Sequence, residues 1–185
     1  MKTTVLANIL LLALGCSVQS AVISGPIYNP ATGHNYFLLG QSSWLTAEAE
    51  AISLGGHLAT INNVAENTWV TTTFSNYGGQ ERSLWIGLND QAQEGVFVWA
   101  NGETASYRNW EPGQPDNGSG VYPEEDFVHI WPASRSPGMW NDYNTDNNWF
   151  GMPFHGLVEV PEPTALCLLT LGAAAMIVHR GRRQR

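Results

Sequence analysis

The order of patterns along the 185-residue chain predicts an α+β fold in which helices pack beside an antiparallel sheet. Two segments with helical signals come early. Runs rich in β-branched and aromatic residues come later, at residues 83–88, 95–100, 127–131 and 155–160. Between them, residues 100–126 are rich in Gly, Pro, Asn and acids and show little periodicity. A loop of that length in a compact domain is usually functional or disordered.

Local signals place the early elements. Residues 27–40 predict two short strands around a turn at 30–33. The first helix is predicted from a glycine, Gly55, that suits a left-handed C-cap, and from apolar residues at helical spacing, namely Trp44, Ala47, Ala51 and Leu54. A second helix is predicted to begin near Asn63, because Asn63 and Glu66 stand at capping-box spacing.

The central part of the chain is strongly acidic. Between residues 22 and 163 there are three arginines and no lysine, against all 16 acidic residues of the sequence. Nucleic-acid affinity comes mostly from cationic side chains that neutralise phosphates. This composition therefore argues against a nucleic-acid partner and is compatible with divalent cations.

Residues 1–20 have an early lysine, an apolar run and small residues at the end, which is typical of a secretory signal peptide. Cleavage after Ser20 is expected. The alternative is a lipoprotein signal with an acylated Cys16. Either interpretation places residues 21–160 outside the cytoplasm.

Residues 161–185 contain a Pro-Glu-Pro step, an apolar run over 165–178 and an arginine-rich tail. This arrangement resembles the PEP-CTERM sorting signal of bacteria, which an exosortase recognises and cuts. The resemblance implies membrane attachment through this segment before processing, then export to the cell surface or extracellular matrix. A simple membrane anchor is the alternative, although the apolar run is shorter than the roughly 20 residues that a span needs.

The two cysteines lie outside the predicted domain of residues 21–160, Cys16 before it and Cys167 after it. We therefore expect no disulfide in the exported domain. Its stability must come from its core, from bound metal, or from both.

The acidic loop and a later Trp-Asn-Asp step supply oxygen ligands of the kind that Ca²⁺ prefers. No cysteine or histidine is needed, which disfavours zinc. A cis peptide bond at Pro115 would turn the side chains on either side of it toward one point. The candidate ligands are Gln114, Asp116, Glu125, Asn141 and Asp142. Glu124 is an alternative to Glu125.

Five ordered motifs make the interpretation specific. They are WIGLND at 85–90, EGVFVW at 94–99, NWEPGQPDN at 109–117, EEDFVHI at 124–130 and WND at 140–142. In this order they resemble the C-type lectin-like domain, over about residues 34–160. The resemblance implies that fold, with two helices packed on antiparallel sheets and a long calcium-binding loop.

The resemblance also implies that the five candidate ligands hold a primary calcium ion whose coordination two vicinal sugar hydroxyls complete. The sugar would then also contact Gln114, Asp116, Glu125 and Asn141. The Gln-Pro-Asp order is similar to that of galactose-type sites, and Tyr122 is a candidate ring for stacking on the sugar. The implied partner is a galactose-type glycan or an exopolysaccharide, in adhesion or in the extracellular matrix.

A second, auxiliary calcium site of the family would draw on Asp90, Glu94, Asn117 and Asp126. The family's usual disulfides are missing, however. Cysteine positions of the family are occupied by Ala51 and Val158 for the long bridge and by Phe127 and Thr145 for the short one. Because losing such bridges costs several kcal/mol, calcium is expected to matter for stability.

Two other functional classes were compared with the lectin interpretation. A lectin-like domain that binds no sugar, uses calcium only structurally and makes protein contacts is the main alternative. An enzyme is not expected, because Ser119 has no His/Asp partner at recognisable spacing and no pair of acids is singled out. The histidines His57, His129 and His155 are expected to have structural roles.

Overall fold

The computed structural model describes residues 21–120, 123–144, 148–149 and 152–162. In chain order, its elements are β1 (Val22–Asn29), β2 (His34–Gln41), α1 (Trp44–Ser53), β3 (His57–Leu58), α2 (Val64–Phe74), β4 (Ser83–Asn89), β5 (Val98–Trp99), β6 (Phe127–Ile130), β7 (Trp140–Tyr143), β8 (Asn148–Trp149) and β9 (Met152–Pro161). Short 3₁₀ turns lie at Tyr77–Gly79 and Asn117–Gly120. The predicted α+β class is confirmed.

The strands form a sheet in the order β1-β2-β9-β4-β6-β7, with β3 and β8 on β9 and β5 on β4. Most neighbouring strands run antiparallel, as expected, but β4 and β9 pair in parallel. The sheet is therefore mixed. The difference arises because the last strand inserts between β2 and β4 and runs antiparallel to β2. Local sequence patterns carry no information about such an insertion.

Each helix has the one cap that the sequence predicts, which is Gly55 after α1 and Asn63 before α2. In α1, the Ser43 hydroxyl accepts the Thr46 N–H at 3.3 Å, and Gly55 follows the helix with a φ of 88°. In α2, Asn63 Oδ1 accepts the Glu66 N–H at 3.0 Å. In a capping box the Glu66 carboxylate would accept the backbone N–H of the N-cap residue, Asn63. Here it accepts the N–H of Asn62 instead.

The predicted strand over residues 95–100 is shorter in the structure. Only Val98–Trp99 pair, with the end of β4. The residues before them turn instead, with the Val96 N–H donated to the Gln93 carbonyl at 2.9 Å and Gly95 at a φ of 75°. The turn folds this segment back toward Asp90, whose carboxylate accepts the Gly95 N–H at 2.8 Å.

Three of the four cysteine positions of the family are occupied by apolar residues in this chain, and the structure describes all three. Ala51, Phe127 and Val158 have no exposed surface and belong to one core cluster. The Trp44 ring stacks on Phe127 with centroids 4.7 Å apart. These three residues therefore fill buried sites, whereas Thr145 lies outside the described residues.

A buried polar network joins β2, α2 and β9. The Tyr36 hydroxyl lies 2.7 Å from Glu66 Oε1 and 2.8 Å from Glu159 Oε1, and His34 Nδ1 lies 2.6 Å from Glu159 Oε1. The Tyr36 hydroxyl has one hydrogen and can donate it to only one of the two carboxylates. The second short contact requires a proton on a carboxyl group, which then donates to the hydroxyl oxygen. Burial raises the pKa of Glu66, which favours its protonated form.

The described residues include no helix long and apolar enough to cross a membrane. The predicted signal peptide of residues 1–20, with Cys16, lies outside the described part of the chain. The same holds for most of the predicted sorting segment, from residue 163 on. Its first two residues are described, since Pro161 ends β9 and the Glu162 carboxylate accepts the Asn35 side-chain N–H at 3.0 Å.

We expect the double substitution Ala51→Cys and Val158→Cys to form the missing long bridge on oxidation. It would close a loop of roughly 100 residues and stabilise the folded state by up to about 4 kcal/mol. Free-thiol titration and urea unfolding of the oxidised and reduced forms measure this effect. Thiols that stay free after oxidation, or an oxidised form no more stable than the reduced one, would contradict the expectation.

Candidate calcium site

A tight turn places the first ligands. The Gln114–Pro115 peptide bond is cis, which is the geometry that would turn the side chains on either side of it toward one point. Before it, the Gln114 N–H donates to the Glu111 carbonyl at 2.9 Å. After it, Asn117 adopts a φ of 46° and the chain enters the 3₁₀ turn. The side chains of Gln114 and Asp116 therefore extend from one sharply bent segment.

Three carboxylates meet beside this turn. Oxygens of Asp116, Glu125 and Asp142 lie within 4.8 Å of one another. Glu125 and Asp142 are buried, whereas Asp116 is more exposed. Asp116 comes from the turn, Glu125 from the segment just before β6, and Asp142 from β7. The structure thus brings together three of the five predicted ligands as one acidic cluster.

Backbone N–H groups of the turn hold the cluster in place. The Asp142 carboxylate accepts the N–H groups of Asp116 at 3.1 Å and Asn117 at 2.9 Å. Glu125 Oε2 accepts the Gly118 N–H at 3.1 Å, and the Glu125 N–H donates to Asn117 Oδ1 at 2.8 Å. These bonds fix the loop against β7 without using every carboxylate oxygen.

The two predicted amide ligands lie at the same place in the fold. Among the described residues, Gln114 Oε1 is buried and has no hydrogen-bond partner. Asn141 lies in β7 next to Asp142, and its amide nitrogen contacts the Asp142 carbonyl and His129 Nε2. Buried oxygens without donors are unfavourable unless something positive meets them. Three carboxylates and two amides are a donor set that fits Ca²⁺.

Burial and like charge make the acidic cluster costly. Burial, and then the charge of Asp142, raise the pKa of Glu125 to about 7. Burial also raises the pKa of Asp142, although the N–H groups of Asn117 and Asp116 oppose that shift. A divalent cation between these groups would favour their ionised forms.

The predicted auxiliary set is only partly assembled. The Asp90 N–H donates to the Asp126 carbonyl at 3.1 Å, and Asp90 Oδ1 is buried without a partner among the described residues. Glu94 is exposed, and Asn117 Oδ1 is already used by the Glu125 N–H. Within the described part of the chain, Asp90, Glu94 and Asp126 do not come together as Asp116, Glu125 and Asp142 do.

Two further sequence hypotheses concern the loop. Of the adjacent acids, Glu125 joins the cluster, whereas Glu124 is exposed and does not. The structure therefore favours Glu125 as the candidate ligand. Tyr122, the candidate sugar platform, lies outside the described residues.

Sequence reasoning did not identify the position of His129 beside the candidate ligand Asn141. His129 is fully buried in β6, directly opposite Asn141 of β7, and burial lowers its pKa to about 3, so the ring is uncharged. The residues of β7 were recognised only as ligands and not as a strand. Without that pairing, nothing in the sequence connects His129 with Asn141.

Residues 40–149 match the family model described as Lectin C-type domain. The chain belongs to the C-type lectin domain family. Over 154 residues it is 30% identical to a perlucin-like protein of Mytilus galloprovincialis, a match that covers 78% of this chain and 95% of that one. The mouse scavenger receptor C-type lectin carbohydrate-recognition domain has a similar structure, with a TM-score of 0.60 and 30% identity, covering 76% of this chain and 99% of that one.

The galactose-specific lectin nattectin of Thalassophryne nattereri is 40% identical over 80 residues, which are 43% of this chain. The matched region spans only 50% of nattectin's length. C-type lectins are binding proteins and not enzymes, in agreement with the expectation for this chain. The family is generally calcium-binding and extracellular.

We expect the calcium-free chain to lose stability as the pH rises from about 4.5 to 7. The pKa of Glu125 is higher in the folded chain than in the unfolded one, so its proton stabilises the fold at low pH and is lost as the pH passes about 7. The part of the loss that comes from Glu125 should be about 2 kcal/mol, and this part should be missing in Glu125→Gln. Urea unfolding with chelator at several pH values measures it.

Glu81→Gln is the matched control, because Glu81 is exposed and far along the chain from the cluster. This variant should keep the pH dependence of the parent. If Glu125→Gln also keeps it, the explanation of the pKa shift is wrong.

Proposed function

We propose that this chain is a calcium-dependent lectin domain that binds galactose-type glycans. The observation that supports it most is the cluster of Asp116, Glu125 and Asp142 oxygens within 4.8 Å, beside the cis Gln114–Pro115 bond. Gln114, Asp116, Glu125, Asn141 and Asp142 would hold the ion. When bound, calcium offers open coordination positions to two vicinal sugar hydroxyls.

The chain's own residues would orient those hydroxyls. Carboxylates such as those of Asp116 and Glu125 would accept hydrogen bonds from sugar hydroxyls. The Gln114 amide nitrogen would donate a hydrogen bond to a hydroxyl oxygen. The Gln-Pro-Asp order supports galactose-type geometry. The galactose-specific relative nattectin supports the same sugar class. The auxiliary ion at Asp90, Glu94, Asn117 and Asp126, and a sugar contact by Tyr122, remain part of the proposal.

We also propose that a bacterium exports this domain and uses it in adhesion or in the extracellular matrix. The signal-peptide pattern of residues 1–20 supports export, and the Pro-Glu-Pro step with its apolar run and arginine tail supports sorting by an exosortase. A galactose-bearing surface glycan or exopolysaccharide is the partner that this location favours.

Calcium should raise the melting temperature of the chain, and galactose should bind only when calcium is present. At a concentration about 100 times Kd, the ion adds about 2.7 kcal/mol to the stability of the folded state. Saturation needs millimolar calcium, since extracellular modules bind at about 10⁻⁴ to 10⁻³ M. Thermal unfolding and a glycan panel, each with calcium and with chelator, measure both effects.

Asp116→Ala should abolish both effects, and Glu124→Ala should leave both intact, because Glu124 is an exposed acid outside the cluster. Calcium stabilisation without any glycan binding would support the lectin-like domain that only makes protein contacts. Absence of both effects in the parent chain would reject the calcium site itself.

Replacing Gln114 by Glu and Asp116 by Asn together should move the preference from galactose toward mannose. The pair exchanges amide and carboxylate across Pro115 and keeps the net charge, so calcium affinity should change little. Galactose affinity should fall about tenfold, which is about 1.4 kcal/mol. Competition with both monosaccharides at saturating calcium measures the change. An unchanged preference would show that the order around Pro115 does not select the sugar.

A further inference from the structure

His129 and Asn141 face each other across β6 and β7. They are direct partners in the antiparallel register, and the Asn141 amide nitrogen lies 3.3 Å from His129 Nε2. His129 has no exposed surface, and Asn141 is buried too. The contact therefore occurs away from solvent, where a hydrogen bond holds its geometry well.

The surroundings identify which atom of Asn141 is the nitrogen. The same amide atom that contacts His129 also contacts the Asp142 backbone carbonyl. A carbonyl oxygen can only accept, so the atom facing it must be the amide nitrogen. His129 Nε2 must then be an acceptor, and the ring proton must be on Nδ1.

This assignment limits what Asn141 can offer to a cation. An amide nitrogen has two hydrogens, and here one is directed to the Asp142 carbonyl and the other to His129 Nε2. With both donors used inside the protein, Oδ1 is the atom available for a positive ion, and the expected sugar contact of Asn141 would also use Oδ1. If the amide were reversed, a carbonyl oxygen would face the Asp142 carbonyl, which is repulsive.

Aromatic rings surround the imidazole, whose place opposite Asn141 is set by the pairing of β6 with β7. Phe154 stacks on it with centroids 4.6 Å apart, and Trp131 and Trp85 meet it edge-on at 4.2 and 5.7 Å. The cost of this arrangement is visible, because His129 Nδ1 is buried without a partner among the described residues.

We infer that His129 is a positioning residue that orients the Asn141 amide so that Oδ1 faces the calcium ion. This inference rests on the proposed calcium site and names a residue that the ligand set does not include. Groups that orient metal ligands in this way typically change metal affinity by about 10- to 100-fold when they are removed.

The test compares two substitutions in the full chain by calcium titration calorimetry. His129→Leu removes the acceptor and should weaken calcium binding at least about tenfold. His129→Gln keeps an acceptor oxygen close to the place of Nε2 and should restore affinity to within a few-fold. Phe154→Leu is the control, because it disturbs the packing of the ring and leaves the acceptor. It should lower the melting temperature and leave calcium affinity near that of the parent.

Nitrogen chemical shifts of the imidazole give a direct reading that packing alone would not change. We expect the Nδ1-protonated tautomer in the parent chain, with and without calcium. An Nε2-protonated ring would overturn the inference, as would a His129→Leu variant that binds calcium like the parent. If Phe154→Leu weakens binding as much as His129→Leu does, packing is responsible and the inference is wrong. A His129→Gln variant that binds calcium no better than His129→Leu would also overturn it, because an acceptor at this place would then have no effect.

The two proposals fail in different ways. A parent chain that does not bind calcium at all rejects the proposed function, and the tautomer then still tests the His129–Asn141 contact. A parent chain that binds calcium, with no effect of His129→Leu, rejects only the positioning role.

Discussion

Three carboxylates held within 4.8 Å of one another, two of them buried, form the constraint on which the site depends. Such a group is unfavourable in a calcium-free protein, because each charge is desolvated and repelled by the others. The fold tolerates it by directing backbone N–H groups of the turn at Asp142 and Glu125. The raised pKa of Glu125 shows that these bonds do not fully compensate. The remaining imbalance would contribute to the binding energy of a divalent cation at this place.

Much of the fold follows from local signals. The glycine after α1, the Asn63 cap of α2 and the turn between β1 and β2 are each determined by a few neighbouring residues, and each is present. The buried apolar residues at the cysteine positions also follow from the sequence, since Ala51, Phe127 and Val158 could only be stable there if buried. Local chemistry determined these elements, so sequence patterns could identify them.

Other features depend on contacts between distant segments. The parallel pairing of β9 with β4 joins residues about seventy positions apart, and no local pattern reports it. The strand β7 is short, and its residues looked like ligands alone. The pairing of His129 with Asn141 needs both β6 and β7 in register, so it becomes visible only in three dimensions. For the candidate site, the three clustered acids were among the residues named from the sequence, whereas the contact of His129 with Asn141 was not.

The absence of disulfides and the acidic cluster are linked by position. The resemblance to C-type lectins places the short bridge between Phe127 and Thr145, close to the paired residues Phe127 and Tyr143 of β6 and β7. Glu125 lies two residues before Phe127, and Asp142 lies one residue before Tyr143. A calcium ion bound by both would therefore connect the same two strands at nearly the same place as the bridge. In a chain whose predicted domain has no cysteine, the ion would supply the crosslink, and stability and ligand binding would depend on one event.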